Sequence, residues 1–148
     1  MDDAFDLHLR TAVYQHFART GQPPTLAAMS EATSAPIDHV TDGYRRLYAK
    51  RMLVPTRDLT SIRMAPPFSG VATQHRVAVN GTAYFANCAW DAFGVITALG
   101  GTGDVLSRCE QTLEPLELRL TPDGPPASPW RFHCVVPASQ WWNDIVFT

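Results

Sequence analysis

The chain has 148 residues, of which 45% are hydrophobic and 18% are charged, and its formal net charge is −2. This composition excludes a disordered or collagen-like protein and suffices for one medium-sized domain or two small ones. No apolar run approaches the ~18 residues of a membrane-spanning helix, and the acidic N-terminus lacks an export pattern, so we expect a cytoplasmic protein. The net charge attracts neither nucleic acid nor membranes, and we expect neither as a partner.

The first half of the chain predicts three helices followed by a β-wing. Apolar spacing over residues 5–17 predicts a helix that ends near Gly21. A second helix is predicted after Thr25 as N-cap, and a third after Pro36. The apolar stripe of the third helix comprises Ile37, Val40, Tyr44 and Leu47. With a pair of short strands at 52–54 and 59–63, these helices predict a winged-helix-like domain over residues 1–64.

The basic residues of the third predicted helix raise the question of DNA binding. Arg45, Arg46 and Lys50 lie on it, but Asp38 and Asp42 offset their charge. A recognition helix usually presents a clear positive face. We therefore expect this half to support its neighbour, and a winged-helix regulator is the alternative.

The second half, residues 65–148, predicts a mixed or antiparallel sheet with one helix packed on it, so the chain belongs to the α+β class. Asn80-Gly81 is the strongest short signal for a two-residue hairpin. The alternation of residues 116–120 predicts a strand with one wet face. The predicted elements are strands at 73–79, 82–87, 104–109, 116–121 and 131–136, a helix at 89–99 and an exposed loop at 121–129.

Cys88-Ala-Trp-Asp91 opens the predicted helix and sets a thiol and a carboxyl on one helix face. Helix N-terminal amides can lower the pKa of a thiol, and a thiolate is both a nucleophile and a ligand for soft metals. A desolvated carboxyl beside an anion is driven towards its protonated form and can carry a proton. The alternative is a buried structural thiol and a carboxyl that only binds free helix amides.

Two further cysteines, Cys109 and Cys134, complete an odd set without CxxC spacing, which favours neither disulfides nor structural zinc. Cys109 ends a predicted strand in a polar context, and we expect a structural role. Alternation in the strand predicted at 131–136 places Cys134 on the same face as Phe132. We expect that face to be core, unless it lines the Cys88 pocket.

These motifs resemble the organomercurial (alkylmercury) lyase family. The resemblance spans most of the chain and is carried by residues 73–81, Cys88-Ala-Trp-Asp91 and residues 105–109. It implies cleavage of a carbon–mercury bond in a small organomercurial without an organic cofactor, with cellular thiols or a mercuric reductase accepting the Hg(II). It also implies that Cys88 is the first mercury ligand, that Asp91 carries the proton to carbon, and that Cys109 is structural.

The sequence departs from the family at one position. The family uses a second catalytic cysteine directly after a segment similar to residues 144–148, and no cysteine follows Cys134 here. Three explanations are a truncated chain, a UGA codon for selenocysteine after Thr148, and loss of the residue; alternatively, Cys134 supplies the second thiolate. We expect a lyase of impaired activity that retains Cys88 and Asp91. The alternatives are a mercury- or thiol-responsive binding protein and a winged-helix regulator.

Overall fold

The secondary structure comes from a computed structural model that describes residues 2–146. Phe147 and Thr148, at the end of the segment similar to the one that precedes the family's second cysteine, lie outside the described residues. In chain order the elements are α1 (Asp3–Thr20), α2 (Leu26–Thr33), α3 (Ile37–Ala49), β1 (Val54–Pro55), β2 (Ile62–Ala65), β3 (Phe68–Ser69), β4 (Arg76–Val79), β5 (Thr82–Ala86), α4 (Ala89–Leu99), β6 (Gly103–Arg108), β7 (Pro115–Leu120) and a 3-10 helix (Ala138–Asn143).

The seven strands of the described chain form one sheet in the order β1-β2-β3-β5-β4-β6-β7. Neighbouring strands in it are antiparallel throughout, so the part of the prediction that allowed a mixed sheet is wrong. The α+β class is confirmed. β5 and β6 run in the same direction with β4 between them, and α4 connects them across the sheet. This connection places the start of α4 at the end of β5.

Local signals around the hairpin and α4 are confirmed. Val79 pairs with Thr82 across a two-residue turn, in which Asn80 has φ 50° and Gly81 has φ 81°. Both values lie in the left-handed region that a type I′ turn requires. α4 ends at Gly100, which has φ 70°.

The three N-terminal helices are also confirmed. Thr25 caps α2, because its hydroxyl oxygen accepts a hydrogen bond from the amide of Ala28 at 3.1 Å. Most of the predicted stripe of α3 is buried, but Ile37, the first residue of the helix, is 48% exposed and does not belong to the core. No helix among the described residues is both long and apolar enough to cross a membrane.

Acidic residues neutralise the basic side chains of α3. Arg45 pairs with Asp42 at 2.6 Å, while Arg46 and Lys50 each lie 2.8 Å from a carboxylate oxygen of Asp6. The Asp6 side chain is only 3% exposed. Burial alone would raise the pKa of Asp6, but its hydrogen bonds and the charges of Arg46 and Lys50 hold that pKa below its usual range.

The N-terminal helices and the sheet share one hydrophobic core. The ring of Phe17 stacks on that of Phe68 with centroids 5.5 Å apart, and the Tyr84 hydroxyl donates to the carbonyl of Ala18 at 2.7 Å. β1 and β2 pair in the region where two wing strands were predicted, but β2 also pairs with β3, which joins it to the rest of the sheet, and the winged-helix outline stays a prediction. The boundary predicted between residues 64 and 65 falls inside β2, and the division into two domains stays a prediction.

The strand predicted at residues 131–136 is wrong, because that segment carries no strand pairing. Alternation assigns side chains to faces but does not supply the pairing of a strand, and this segment runs as irregular chain between Pro129 and Pro137. The inward face that alternation assigned to it therefore does not exist. Phe132 and Cys134 are exposed instead of packed in the core.

Candidate active site

Cys88 lies between the end of β5 and the start of α4. Its backbone is extended (φ −149°, ψ 178°), and it is the N-cap of α4. The Cys88 sulfur accepts a hydrogen bond from the amide of Asp91 at 3.4 Å. The side chain is half-buried. A thiol thus takes the position that Ser, Thr or Asp usually occupies at a helix start.

Burial determines the acid strength of this thiol. It raises the pKa of Cys88, the amide of Asp91 opposes the rise, and the negative charge of Asp91 adds to it. The net direction is upward, so the lowering expected from helix amides does not prevail here. At neutral pH the Cys88 sulfur therefore carries its proton, which must leave when a metal binds.

Asp91 lies one turn into α4 and is also half-buried. Burial raises the pKa of its carboxyl, and a hydrogen bond from Asn87 partly offsets this rise. The Asn87 Nδ2 atom lies 2.9 Å from Asp91 Oδ2 and 3.2 Å from the carbonyl oxygen of Phe68. Asn87 therefore links the carboxyl of Asp91 to the first residue of β3. The sequence analysis missed this residue, although a polar side chain between a buried strand and Cys88 is a usable signal.

The turn that carries Pro66 and Pro67 packs between α1 and α4. The Tyr14 hydroxyl, from α1, donates to the carbonyl of Pro66 at 3.0 Å. Burial raises the pKa of Tyr14, the hydrogen bond and charge of Arg10 oppose this rise, and the negative charge of Asp91 adds a smaller increase. A Cβ atom on Gly94 would lie 3.0 Å from the Cβ of Pro67, so α4 sits directly against this turn. Tyr14 belongs to the half of the chain predicted to have only a supporting role.

The segment that carries Cys134 lies beside the start of α4, although not as the strand expected. Cys134 itself is exposed. The ring of Phe132 contacts that of Trp90, with centroids 5.5 Å apart. Residues 132–134 therefore run beside the start of α4.

Cys109 occupies a different environment. It lies in the turn after β6, where its amide donates to the carbonyl of Glu114 at 2.9 Å, and its thiol is hydrogen-bonded to Thr112, which lowers its pKa. Its polar partners therefore come from its own turn. Between residues 2 and 146, no group of three or more His, Cys, Asp or Glu side chains is arranged to hold a metal ion.

The fold and site define a class of small α+β protein in which a thiol caps a helix and a carboxyl lies one turn later, both half-buried. The sequence model of MerB, described as alkylmercury lyase, matches residues 68–148. This match covers more than half of the chain, which therefore belongs to the alkylmercury lyase family, as its resemblance predicted.

A solved structure supports the same assignment. The crystal structure of the mercury-bound form of MerB2 superposes with a TM-score of 0.65 at 27% sequence identity, and the alignment covers 84% of this chain. It covers 59% of the MerB2 chain, so this protein spans less than two thirds of that relative's length. No curated protein sequence matches the chain.

Proposed function

We propose that the protein cleaves the carbon–mercury bond of small organomercurials, releasing a hydrocarbon and retaining Hg(II) on sulfur. The observation that carries the proposal is the placement of the Cys88 thiol and the Asp91 carboxyl at one helix start, with the sulfur 3.4 Å from the Asp91 amide. Family membership and a mercury-bound structural relative support it. No organic cofactor is needed for this chemistry.

The first step is capture of the organomercurial cation by Cys88. Thiolate sulfur is the softest ligand that a protein offers, and Hg(II) is a soft cation. Because its pKa is raised, the Cys88 thiol releases its proton as mercury binds. Asp91 is the nearby acceptor, and its own raised pKa lets it hold the proton in the half-buried pocket.

The second step exchanges carbon for sulfur on mercury. The Cys88–S–Hg–R adduct and the Cys134 thiol give Cys88–S–Hg–S–Cys134 and R–H. The electron pair of the carbon–mercury bond stays with carbon, which takes the proton through Asp91, and mercury remains Hg(II). The contact between Phe132 and Trp90, which brings the segment of Cys134 to the start of α4, supports this role, which the sequence analysis gave as the alternative to a cysteine after Thr148. External thiols or a mercuric reductase then accept the metal.

The N-terminal half supports the site in this proposal. Its winged-helix-like outline supplies α1, whose Tyr14 holds the turn of Pro66 and Pro67. The ion pairs of Arg45, Arg46 and Lys50 leave no strongly positive face on α3, which argues against a DNA-binding regulator. The cytoplasmic location and the impaired activity stay predictions.

The test is the release of benzene from phenylmercury in excess thiol, measured by gas chromatography. We expect benzene from the unmodified protein and none from Cys88→Ser, with Cys109→Ser as the matched control that retains activity. Turnover that survives Cys88→Ser would overturn the mechanism. Tight Hg(II) binding with no benzene would instead support the alternative, a protein that captures mercury without cleaving its bond to carbon.

A further inference from the structure

Two large aromatic side chains lie exposed beside the thiols. Trp90 is 59% exposed and Phe132 is 47% exposed, although their rings contact each other at 5.5 Å with 42° between the ring planes. Each ring thus contacts the other and keeps a large part of its surface open to solvent. Contiguous exposed aromatic surface at a site commonly marks a place where an apolar group binds.

Both rings belong to residues that lie close in sequence to the cysteines. Trp90 is two residues after Cys88, and Phe132 is two residues before Cys134. The rings and the thiols therefore lie on the same two segments, which meet at the contact between Trp90 and Phe132 at the start of α4.

The coordination of mercury decides where the organic group lies. Two-coordinate Hg(II) is linear, so the carbon bonded to mercury points away from the Cys88 sulfur and over the neighbouring surface. An aryl group there can contact the Trp90 and Phe132 rings in the tilted or offset arrangement that aromatic rings prefer. A methyl group is too small to make these contacts.

We propose that Trp90 and Phe132 are specificity-determining residues that favour arylmercury over methylmercury substrates. This inference rests on the proposed lyase function, which it deepens. The preference arises because an aryl group gains ring contacts and loses water. Substitution of the rings leaves Cys88 and Asp91 unchanged, so a change in the ratio of the two rates reports these contacts. Each ring is expected to contribute about a fivefold preference, the size typical of one aromatic contact.

The test compares kcat/KM for phenylmercury and methylmercury in excess thiol. We expect the phenyl-to-methyl ratio to fall about fivefold in Trp90→Leu and in Phe132→Leu, which keep an apolar side chain but remove the ring. Tyr48→Leu is the matched control. Tyr48 lies on α3 and is 50% exposed, and its ring contacts that of Trp142 with the centroids 6.4 Å apart. Its ratio should not change. Thermal melts of all three variants verify that they fold.

The outcomes separate the inference from the proposed function. If both substrates are cleaved and neither ring variant changes the ratio, the inference is overturned while the lyase function stands. If neither substrate is cleaved by the unmodified protein, the lyase function fails. In that case the relative affinity for phenylmercury and methylmercury, measured by competition with a small thiol, tests the rings directly. A ratio that falls in Trp90→Leu supports the inference, and an unchanged ratio overturns it.

Discussion

The side-chain amide of Asn87 donates to the Asp91 carboxylate at 2.9 Å, and the same nitrogen lies 3.2 Å from the carbonyl oxygen of Phe68. This carbonyl fixes the orientation of the amide, since exchanging its oxygen and nitrogen would set two oxygens against each other. Asn87 therefore presents a donor, and not an acceptor, to the carboxyl. A donor favours the charged form of Asp91 and opposes the effect of burial.

Replacing Asn87 by Ala should therefore raise the pKa of Asp91. Burial continues to favour the protonated carboxyl, and the hydrogen bond that opposes it is lost. The measurement is a pH titration of the Asp91 side-chain carbon by 13C NMR. Asn143→Ala, at an exposed position in the 3-10 helix, is the control. An unchanged or lower pKa in Asn87→Ala would show that the hydrogen bond does not set the acidity of this group.

The reactivity of Cys88 should depend on the charge of Asp91. Because this negative charge raises the pKa of the thiol, Asp91→Asn should lower it and bring more thiolate to neutral pH. We expect faster alkylation of Cys88 by iodoacetamide, and a pH profile displaced to lower pH. Peptide mass spectrometry reads each cysteine separately, so Cys109 in the same sample is the control. A slower reaction at Cys88 would contradict the electrostatic explanation.

Loss of the Cys134 sulfur should weaken the binding of Hg(II). Cys134→Ser leaves Cys88 as a single soft ligand, and we expect the affinity for Hg(II) to fall at least about tenfold. Substitution of a residue that only supports a metal ligand already causes a loss of about this size. Competition with a small dithiol measures it. The matched substitution Cys109→Ser should retain the affinity. Equal affinities for the two variants would exclude Cys134 as a ligand.

The buried carboxylate of Asp6 should make folding sensitive to acid. Its pKa is lowered in the folded state, so its contribution to stability is present above the unfolded pKa near 3.8 and is lost as the pH falls through the folded value. At neutral pH, Asp6→Asn should cost about 2 kcal/mol in the free energy of unfolding, because Arg46 and Lys50 lose their shared partner.

Urea unfolding at pH 7 and pH 3 measures this effect. The difference between Asp6→Asn and the unmodified protein should shrink at pH 3. Asp42→Asn is the control, since its pair with Arg45 is exposed and should be worth less than about 1 kcal/mol. A cost for Asp6→Asn that does not change with pH would assign its effect to packing.

The sequence predicts those parts of the site that depend on neighbouring residues. The turn at Asn80 and Gly81, the cap at Cys88 and the spacing to Asp91 all depend on local chemistry, and the structure has each of them. The contacts that the sequence could not predict join distant parts of the chain. The Phe68 carbonyl that orients Asn87 is 19 residues away, and the Tyr14 hydroxyl reaches Pro66 across 52 residues.

In the segment around Cys134, the sequence predicted a strand that the structure does not have. Its alternation of apolar and polar residues is a strand signal, but alternation does not show whether a segment pairs with a neighbouring strand. In the structure residues 131–136 pair with no strand, and Cys134 is exposed. The sequence identified the thiol and left open whether it lines the pocket. The fold position expected for it was wrong.

The sulfurs of Cys88 and Cys134 lie on chain segments of different regularity. One is fixed at the cap of an eleven-residue helix, whereas the other sits on unpaired chain, near the hydrogen bond from the Trp141 indole to the carbonyl of Val136. In the proposed mechanism, the sulfur on irregular chain is therefore the ligand that leaves mercury first. An incoming carrier thiol then replaces that sulfur while Cys88 still holds the metal, so the proposed transfer releases no free mercury into water.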